Sequence, residues 1–128
     1  MRVLLDTHVF LWWLDGDRRL SKRARTLVAN EETEVLVSAA SAWEISIKAA
    51  SGKLPGALDV AADVLGCIRA QRFVPLDLTV LHAQRAGSLP ALHGDPFDRA
   101  LIAQSLVEGV PILSDDTVFD GYGVTRIW

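Results

Sequence analysis

Cysteine is almost missing. Cys67 is the only one in the 128-residue chain, so no internal disulfide holds the fold, and this usage fits a reducing cytoplasm. Long hydrophobic runs are missing too. Residues are 50% hydrophobic, yet no apolar run approaches the ~20 residues that span a bilayer. The opening Met1-Arg2-Val3-Leu4-Leu5-Asp6 meets charge too soon for a signal peptide, so a cytoplasmic protein without a membrane partner is expected. Cationic excess is also lacking. The net charge is −3, whereas proteins that grip nucleic acid by bulk electrostatics are basic. Any nucleic-acid contact must then use a local patch and a bound metal. No repeat, low-complexity tract or linker interrupts the chain, and the charged share of 23% does not suggest disorder. One domain over residues 1–128, long enough to bury a real core, is expected.

What is present is a set of acids spread from one terminus to the other: Asp6, Glu44, Asp98 and the pair Asp115-Asp116. Each sits where a strand or helix should begin or end. If the fold gathers them, their repulsion needs a cation, and hard oxygen ligands suit Mg²⁺ or Mn²⁺. A metal-filled carboxylate pocket without a conventional nucleophile points to phosphoryl chemistry.

The chain alternates short apolar strands with helices. Strands are expected at Val3 to Leu5, Glu34 to Val37, Phe73 to Leu76, Pro111 to Ser114 and Val124 to Trp128, with Pro75 marking an edge. Helices are expected over residues 7–14, stopped by Asp15-Gly16-Asp17, and over 21–30, with Ala24, Leu27 and Val28 inward. Further helices are expected over 41–50, 57–71, 79–86 and 96–108, the last closed by Gly109. This order implies an α/β fold with a mainly parallel sheet covered on both faces. In such sheets ligands bind beyond the carboxyl ends of the strands, and Asp6 and Asp115-Asp116 both directly follow a strand.

Each acid also has a plain structural reading. Ser41-Ala42-Trp43-Glu44 matches a capping box, with Ser41 as N-cap, and Glu44 and Lys48 are spaced as a stabilising helical pair. Asp95 can cap the helix that Pro96 begins, with Asp98 in its first turn. Asp6 can cap the helix after it, and Asp115-Asp116 can be an ordinary turn. The joint pattern argues for more. Glu44 lies between Trp43 and Ile45, where an unpaired charge is costly, and Asp98 precedes the buried-looking Arg99-Ala100-Leu101-Ile102-Ala103.

Four ordered stretches carry a resemblance. They are Leu4-Leu5-Asp6-Thr7-His8, Ser38-Ala39-Ala40-Ser41-Ala42-Trp43-Glu44-Ile45, His93-Gly94-Asp95-Pro96-Phe97-Asp98-Arg99-Ala100-Leu101-Ile102-Ala103-Gln104, and Ile112-Leu113-Ser114-Asp115-Asp116-Thr117-Val118-Phe119. Together they resemble PIN domains, most nearly the VapC-like ribonuclease toxins of type II toxin–antitoxin pairs, over essentially the whole chain. The resemblance implies a three-layer PIN-like fold, with a sheet of about five strands flanked by helices. It implies metal-dependent endonucleolytic cleavage of RNA, with Asp6, Glu44, Asp98 and Asp116 as catalytic residues and ligands of Mg²⁺ or Mn²⁺. Asp116 is preferred to Asp115 because Ser114, Asp116 and Phe119 fit the family's spacing of Thr or Ser, any residue, Asp, then Phe three residues on. Asp6 is the expected central ligand, and Glu44 either binds through water or orients the attacking water. Asp95 and Asp115 are expected to support or cap, with Thr7 and Ser41 holding water or a carboxylate. Lys48 and Arg99 lie near enough to contact a phosphate, although Lys48 can simply pair with Glu44. His8 and His93 read as hydrogen-bonded structural groups rather than catalysts.

The implied partners are a small antitoxin, a second copy of the chain and an RNA substrate, with transfer RNA one candidate class. The net negative site suits an Arg-bearing antitoxin tail. The apolar helix through Phe10, Leu11, Trp12, Trp13 and Leu14 is either an exposed interface or a core helix beneath its basic neighbour. Arg18, Arg19, Lys22, Arg23 and Arg25 form a patch that reads first as a solvated helix face, and second as a grip on phosphates.

Other readings fit less well. A haloacid-dehalogenase-type phosphatase needs a second Asp two residues after Asp6, where His8 stands. A phosphoacceptor receiver domain needs an early acidic pair that is missing. A PIN-like module that binds RNA or protein without cutting is the alternative from another functional class.

Overall fold

The computed structural model describes residues 1–128. Five strands, β1 (Arg2–Leu5), β2 (Glu34–Ser38), β3 (Val74–Leu76), β4 (Ile112–Leu113) and β5 (Arg126–Ile127), pair in the order β3-β2-β1-β4-β5, all parallel. The register sets Leu4 beside both Leu36 and Ile112. Side chains alternate faces along a strand, so the strands divide their residues between two cores. Val3, Leu5, Val35, Val37 and Leu113 face one core, which also holds Val9 and Phe10 of α1 (Thr7–Asp15), Ala24 and Val28 of α2 (Lys22–Ala29) and Ile45 of α3 (Ala39–Ala50). Leu4, Leu36 and Ile112 face the other, against Leu101 and Ile102 of α7 (Pro96–Glu108). Val3, Leu4 and Leu5 are each fully buried, which explains why β1 is a continuous apolar run instead of an alternating one. Each such Leu contributes about 1.5–3 kcal/mol by leaving water.

The expected α/β fold, with helices on both faces of a parallel sheet, is therefore present, and β3 with Pro75 lies at an edge. Strands β4 and β5 are shorter than the runs of apolar residues suggested. A 3₁₀ helix at Thr117–Tyr122, capped by Asp116, follows β4 where only a turn was expected.

Two expectations need correction. The third helix begins at Ala39, not after Ser41. Ser38 is its N-cap, accepting from the Ala40 N–H at 2.9 Å, so Ser41 and Glu44 form no capping box. Strand β2 runs straight into the helix with no turn residue between, and the pattern of two serines concealed which one caps. The long helix expected over 57–71 is broken. A 3₁₀ turn at Pro55–Ala57 leads into α4 (Leu58–Ala62), and α5 (Val64–Ala70) starts afresh. Asp63 sits between them with φ −156° and ψ 73°, far from helical values, and its carboxylate accepts the Gly66 N–H at 2.9 Å. A Cβ at residue 66 would come within 2.1 Å of that carboxylate, so glycine permits the close cap. Asp63→Ala should cost about 1 kcal/mol, read as a lower urea midpoint at unchanged slope.

Helix α6 (Val80–Ser88) begins with a reciprocal cap. Thr79 Oγ1 accepts the His82 N–H, and His82 Nδ1 accepts the Thr79 N–H. Helix α1 is the core helix of the two readings. Its Trp12 and Trp13 pack on the first core, and Arg19 lies over the Trp12 ring with its Cζ 4.8 Å from the centroid. The large apolar side chains left open are elsewhere, notably Trp43 and Ile47 on α3.

Candidate active site

Parallel strands all end on one edge of the sheet, so whatever follows β1 and β4 meets there. Asp6 follows β1 and caps α1: the Thr7 N–H donates to Asp6 Oδ1 at 2.7 Å. Its other oxygen accepts the Ser114 hydroxyl at 2.6 Å. Ser114 Oγ in turn accepts the Asp116 N–H at 3.0 Å. A hydroxyl at residue 114 thus ties the end of β1 to the loop after β4. Asp116 joins Asp6 through this link, and its own carboxylate accepts the Val118 N–H. The exposed Asp115 points another way, 2.7 Å from His8 Nε2, while His8 Nδ1 lies 3.4 Å from Asp6 Oδ2.

Helices α3 and α7 bring the other two acids. Glu44 is buried and pairs with Lys48 one turn on, as the spacing predicted. Ser41 on the same helix accepts the Thr7 hydroxyl at 2.8 Å, a buried bond that fixes α1 against α3. Asp95 caps α7 by accepting the Phe97 and Asp98 N–H groups. Asp98, in that first turn, is held by His93 Nε2 at 2.8 Å. Donor atoms of His93, Asp95 and Asp98 lie within 4.8 Å of one another, the tightest ligand cluster in the molecule.

Electrostatics show that the acids share one environment. Burial pushes the Asp6 carboxyl up to about 6 from an ordinary 3.8; His8 and the Ser114 hydroxyl oppose the rise, and Asp98 adds to it. Burial likewise raises Asp98, against the His93 bond, while Asp95 and Glu44 add to the effect. The Glu44 bond keeps the Lys48 ammonium charged, with Asp95 and Asp98 assisting. Asp98 is therefore close enough to Asp6, and Glu44 to Asp98, to oppose ionisation there, a cost carried where a function requires it.

Arg99 departs from its expected place at a phosphate. Its guanidinium donates to the carbonyls of Ala86, Leu89, Pro90 and His93, at 2.9–3.1 Å. It clamps the segment that carries His93 and Asp95. Arg99 was missed as a clamp because its carbonyl partners leave no mark in the sequence. His8 and His93 hold acids, in keeping with their structural reading.

The sequence model of the PIN domain matches residues 3–124. The chain belongs to the PIN domain family. A curated relative in this family, ribonuclease VapC22 of Mycobacterium tuberculosis, is 30% identical over 115 residues, covering 89% of this chain and 86% of that protein. Solved structures agree in fold. The VapBC2 complex of Rickettsia felis, bound to a promoter DNA fragment, contains a chain with a TM-score of 0.73 at 12% identity, covering 99% of this chain and 98% of that one. A toxin–antitoxin complex from Klebsiella pneumoniae contains another with a TM-score of 0.69 at 12% identity, covering 98% and 96%. The resemblance read from the four motifs is thus confirmed, and with it the PIN-like fold.

Proposed function

We propose that this PIN protein is a metal-dependent endoribonuclease acting as the toxin of a toxin–antitoxin pair. The observation that carries the reading is the meeting of buried Asp6 and Glu44 with half-buried Asp98 at the carboxyl edge of the sheet, where Asp98 opposes the charge of Asp6 and Glu44 opposes that of Asp98. The relative named a ribonuclease supports RNA as substrate, and the relatives in toxin–antitoxin complexes support an antitoxin partner.

The donor set fits a hard cation. It is made of carboxylates, and their mutual repulsion is what a divalent ion relieves. Asp6, Asp98 and Asp116 would hold Mg²⁺ or Mn²⁺, with Glu44 beside them. When bound, the ion supplies a lowered pKa for water and polarisation of the phosphodiester. The chain's own groups do the remainder. The Thr7 amide and Ser114 hydroxyl aim both oxygens of Asp6. His93 sets the face that Asp98 presents, and Glu44 can accept a proton from the attacking water. Lys48 is partly exposed and faces Glu44, Asp95 and Asp98, which places its ammonium for a phosphate oxygen. An acidic groove of this kind suits an Arg-bearing antitoxin tail, and a second copy of the chain is the other proposed partner.

Purified protein free of antitoxin should cut total cellular RNA into discrete products with Mg²⁺ or Mn²⁺, and chelator should stop it. RNA left intact by folded, metal-loaded protein would remove the nuclease reading. Cutting should also depend on pH. A proton on Asp6 competes with the cation, so metal affinity should fall about tenfold per unit as pH drops below about 6. Titration calorimetry between pH 5 and 8 on a scale of ~1 pH unit per step checks this; an unchanged affinity would show that Asp6 is not a ligand.

A further inference from the structure

A second feature lies beside the acids. A cavity of about 300 Å³ opens between α1 and residues 53–57, walled by His8, Trp12, Arg19, Lys53 and Pro55, with Asp15 at its rim. His8 stands between it and the acids, its Nδ1 3.4 Å from Asp6 and its ring 4.6 Å, centroid to centroid, from Trp12.

Arg19 gives this cavity its character. Its guanidinium lies over the Trp12 ring and forms a two-point bond to Asp17, at 2.8 and 3.1 Å. The side chain remains 69% exposed. An exposed ion pair contributes little to stability, so folding energy alone is a weak reason for this posture. What it produces is a planar cation, fixed from behind by an aromatic ring and from the side by a carboxylate, with its outer face turned to solvent. Nucleobases stack on such guanidinium planes as they do on aromatic rings. Lys53, exposed on the facing segment, is a point charge suited to the phosphate that accompanies the base. Asp17 neutralises Arg19 and Asp15 offsets Lys53, so the fixed guanidinium plane, and not a net charge, is what suits the cavity to a base.

We propose that this cavity receives one unstacked nucleobase of single-stranded RNA, stacked on Arg19 with its phosphate near Lys53, adjacent to the cleavage centre. The inference rests on RNA as the substrate and adds to it a site for reading the strand.

The test compares two fluorescent strands by anisotropy, with chelator present so that neither is cut: an adenylate decamer and a decamer of abasic ribose phosphates. Wild-type protein should prefer the base-bearing strand about tenfold. Arg19→Lys keeps the charge and removes the plane, so it should lose most of that preference. Lys53→Ala should weaken both strands alike and leave the ratio intact. Both side chains are exposed, and a thermal melt confirms folding. Equal wild-type affinity for the two strands, as expected if the cavity takes a protein side chain, overturns the proposal, as does a wild-type ratio in Arg19→Lys. Metal-dependent cutting of cellular RNA is scored separately. If cutting occurs and the ratio test fails, the cavity assignment falls alone; if the ratio test succeeds without cutting, the nuclease reading falls alone.

Discussion

Replacing Asp6 by Asn should abolish RNA cleavage and, in metal-free buffer near neutral pH, make the protein harder to unfold. The two effects share one cause. Asp6 is 3% exposed, and its ionised form is opposed by burial and by Asp98. As the proposed central ligand, it keeps its charge for the cation. Asn keeps the shape and gives up the charge, and a loss beyond about a hundredfold in metal-dependent cutting is expected, since even supporting residues of metal sites account for 10–100-fold. The sign of the stability change follows from linkage. A carboxyl held near 6 in the folded chain and near 3.8 when unfolded favours folding only while protonated. That contribution is complete below about pH 4 and is lost as pH rises through about 6, a change of up to about 3 kcal/mol. Asp6→Asn should therefore gain stability over wild type at pH 8 and show little gain at pH 4. Denaturant melts at the two values check this. A variant less stable than wild type at pH 8 would mean that the Ser114 and Thr7 bonds to Asp6 outweigh its burial. Cutting that survives in both Asp6→Asn and Asp98→Asn would remove the site assignment.

Arg99→Ala should give the largest loss of stability. Its guanidinium serves four carbonyls between residues 86 and 93, and the alanine variant leaves them with water or nothing. Bonds from a charged donor are worth more than neutral ones, but part of this network meets solvent, so about 3 kcal/mol is expected. That corresponds to a fall in Tm of roughly 10 °C in a chain of this size. Arg99→Lys should recover little, because an ammonium cannot reproduce the planar fork. A variant that melts like wild type but binds RNA more weakly would restore Arg99 to a phosphate contact. If the clamp is right, metal affinity should drop as well, since the clamped segment carries His93 next to Asp98.

The parts of this molecule that follow from neighbouring residues could be read in advance. The buried strand before Asp6, the helix that Asp95 caps and Gly109 closes, and the Glu44–Lys48 pair all depend on short-range patterns, and all are present. What could not be read depends on the path of the chain through space. Ser41 looked like a cap because Glu44 lies three residues on; its actual partner is Thr7, from another helix. The break at Asp63 has no proline, and Gly66, three residues on, reads as a tolerated helical glycine until the Asp63 cap on its N–H is seen. Arg99 stands among motif residues, and nothing local distinguishes a clamp on carbonyls from a hand on phosphate. The quartet itself was legible only as an ordered set. Asp98 acts on Asp6 and Glu44 on Asp98, whereas Asp116 reaches Asp6 through Ser114.

The central position of β1 has a consequence for how the protein is made. Its two neighbours are β2, close behind it in sequence, and β4, near the far end of the chain. At about 5–20 residues per second, several seconds of synthesis separate the appearance of β2 from that of β4. Until then one long side of β1 has no partner; Asp98 appears only shortly before β4, and Ser114 and Asp116 only after it. The early half of the chain leaves the ribosome with a bare strand edge and half of its acids. If the proposed site is right, a growing chain is inactive on RNA during the same interval in which its bare strand edge makes it most prone to aggregate.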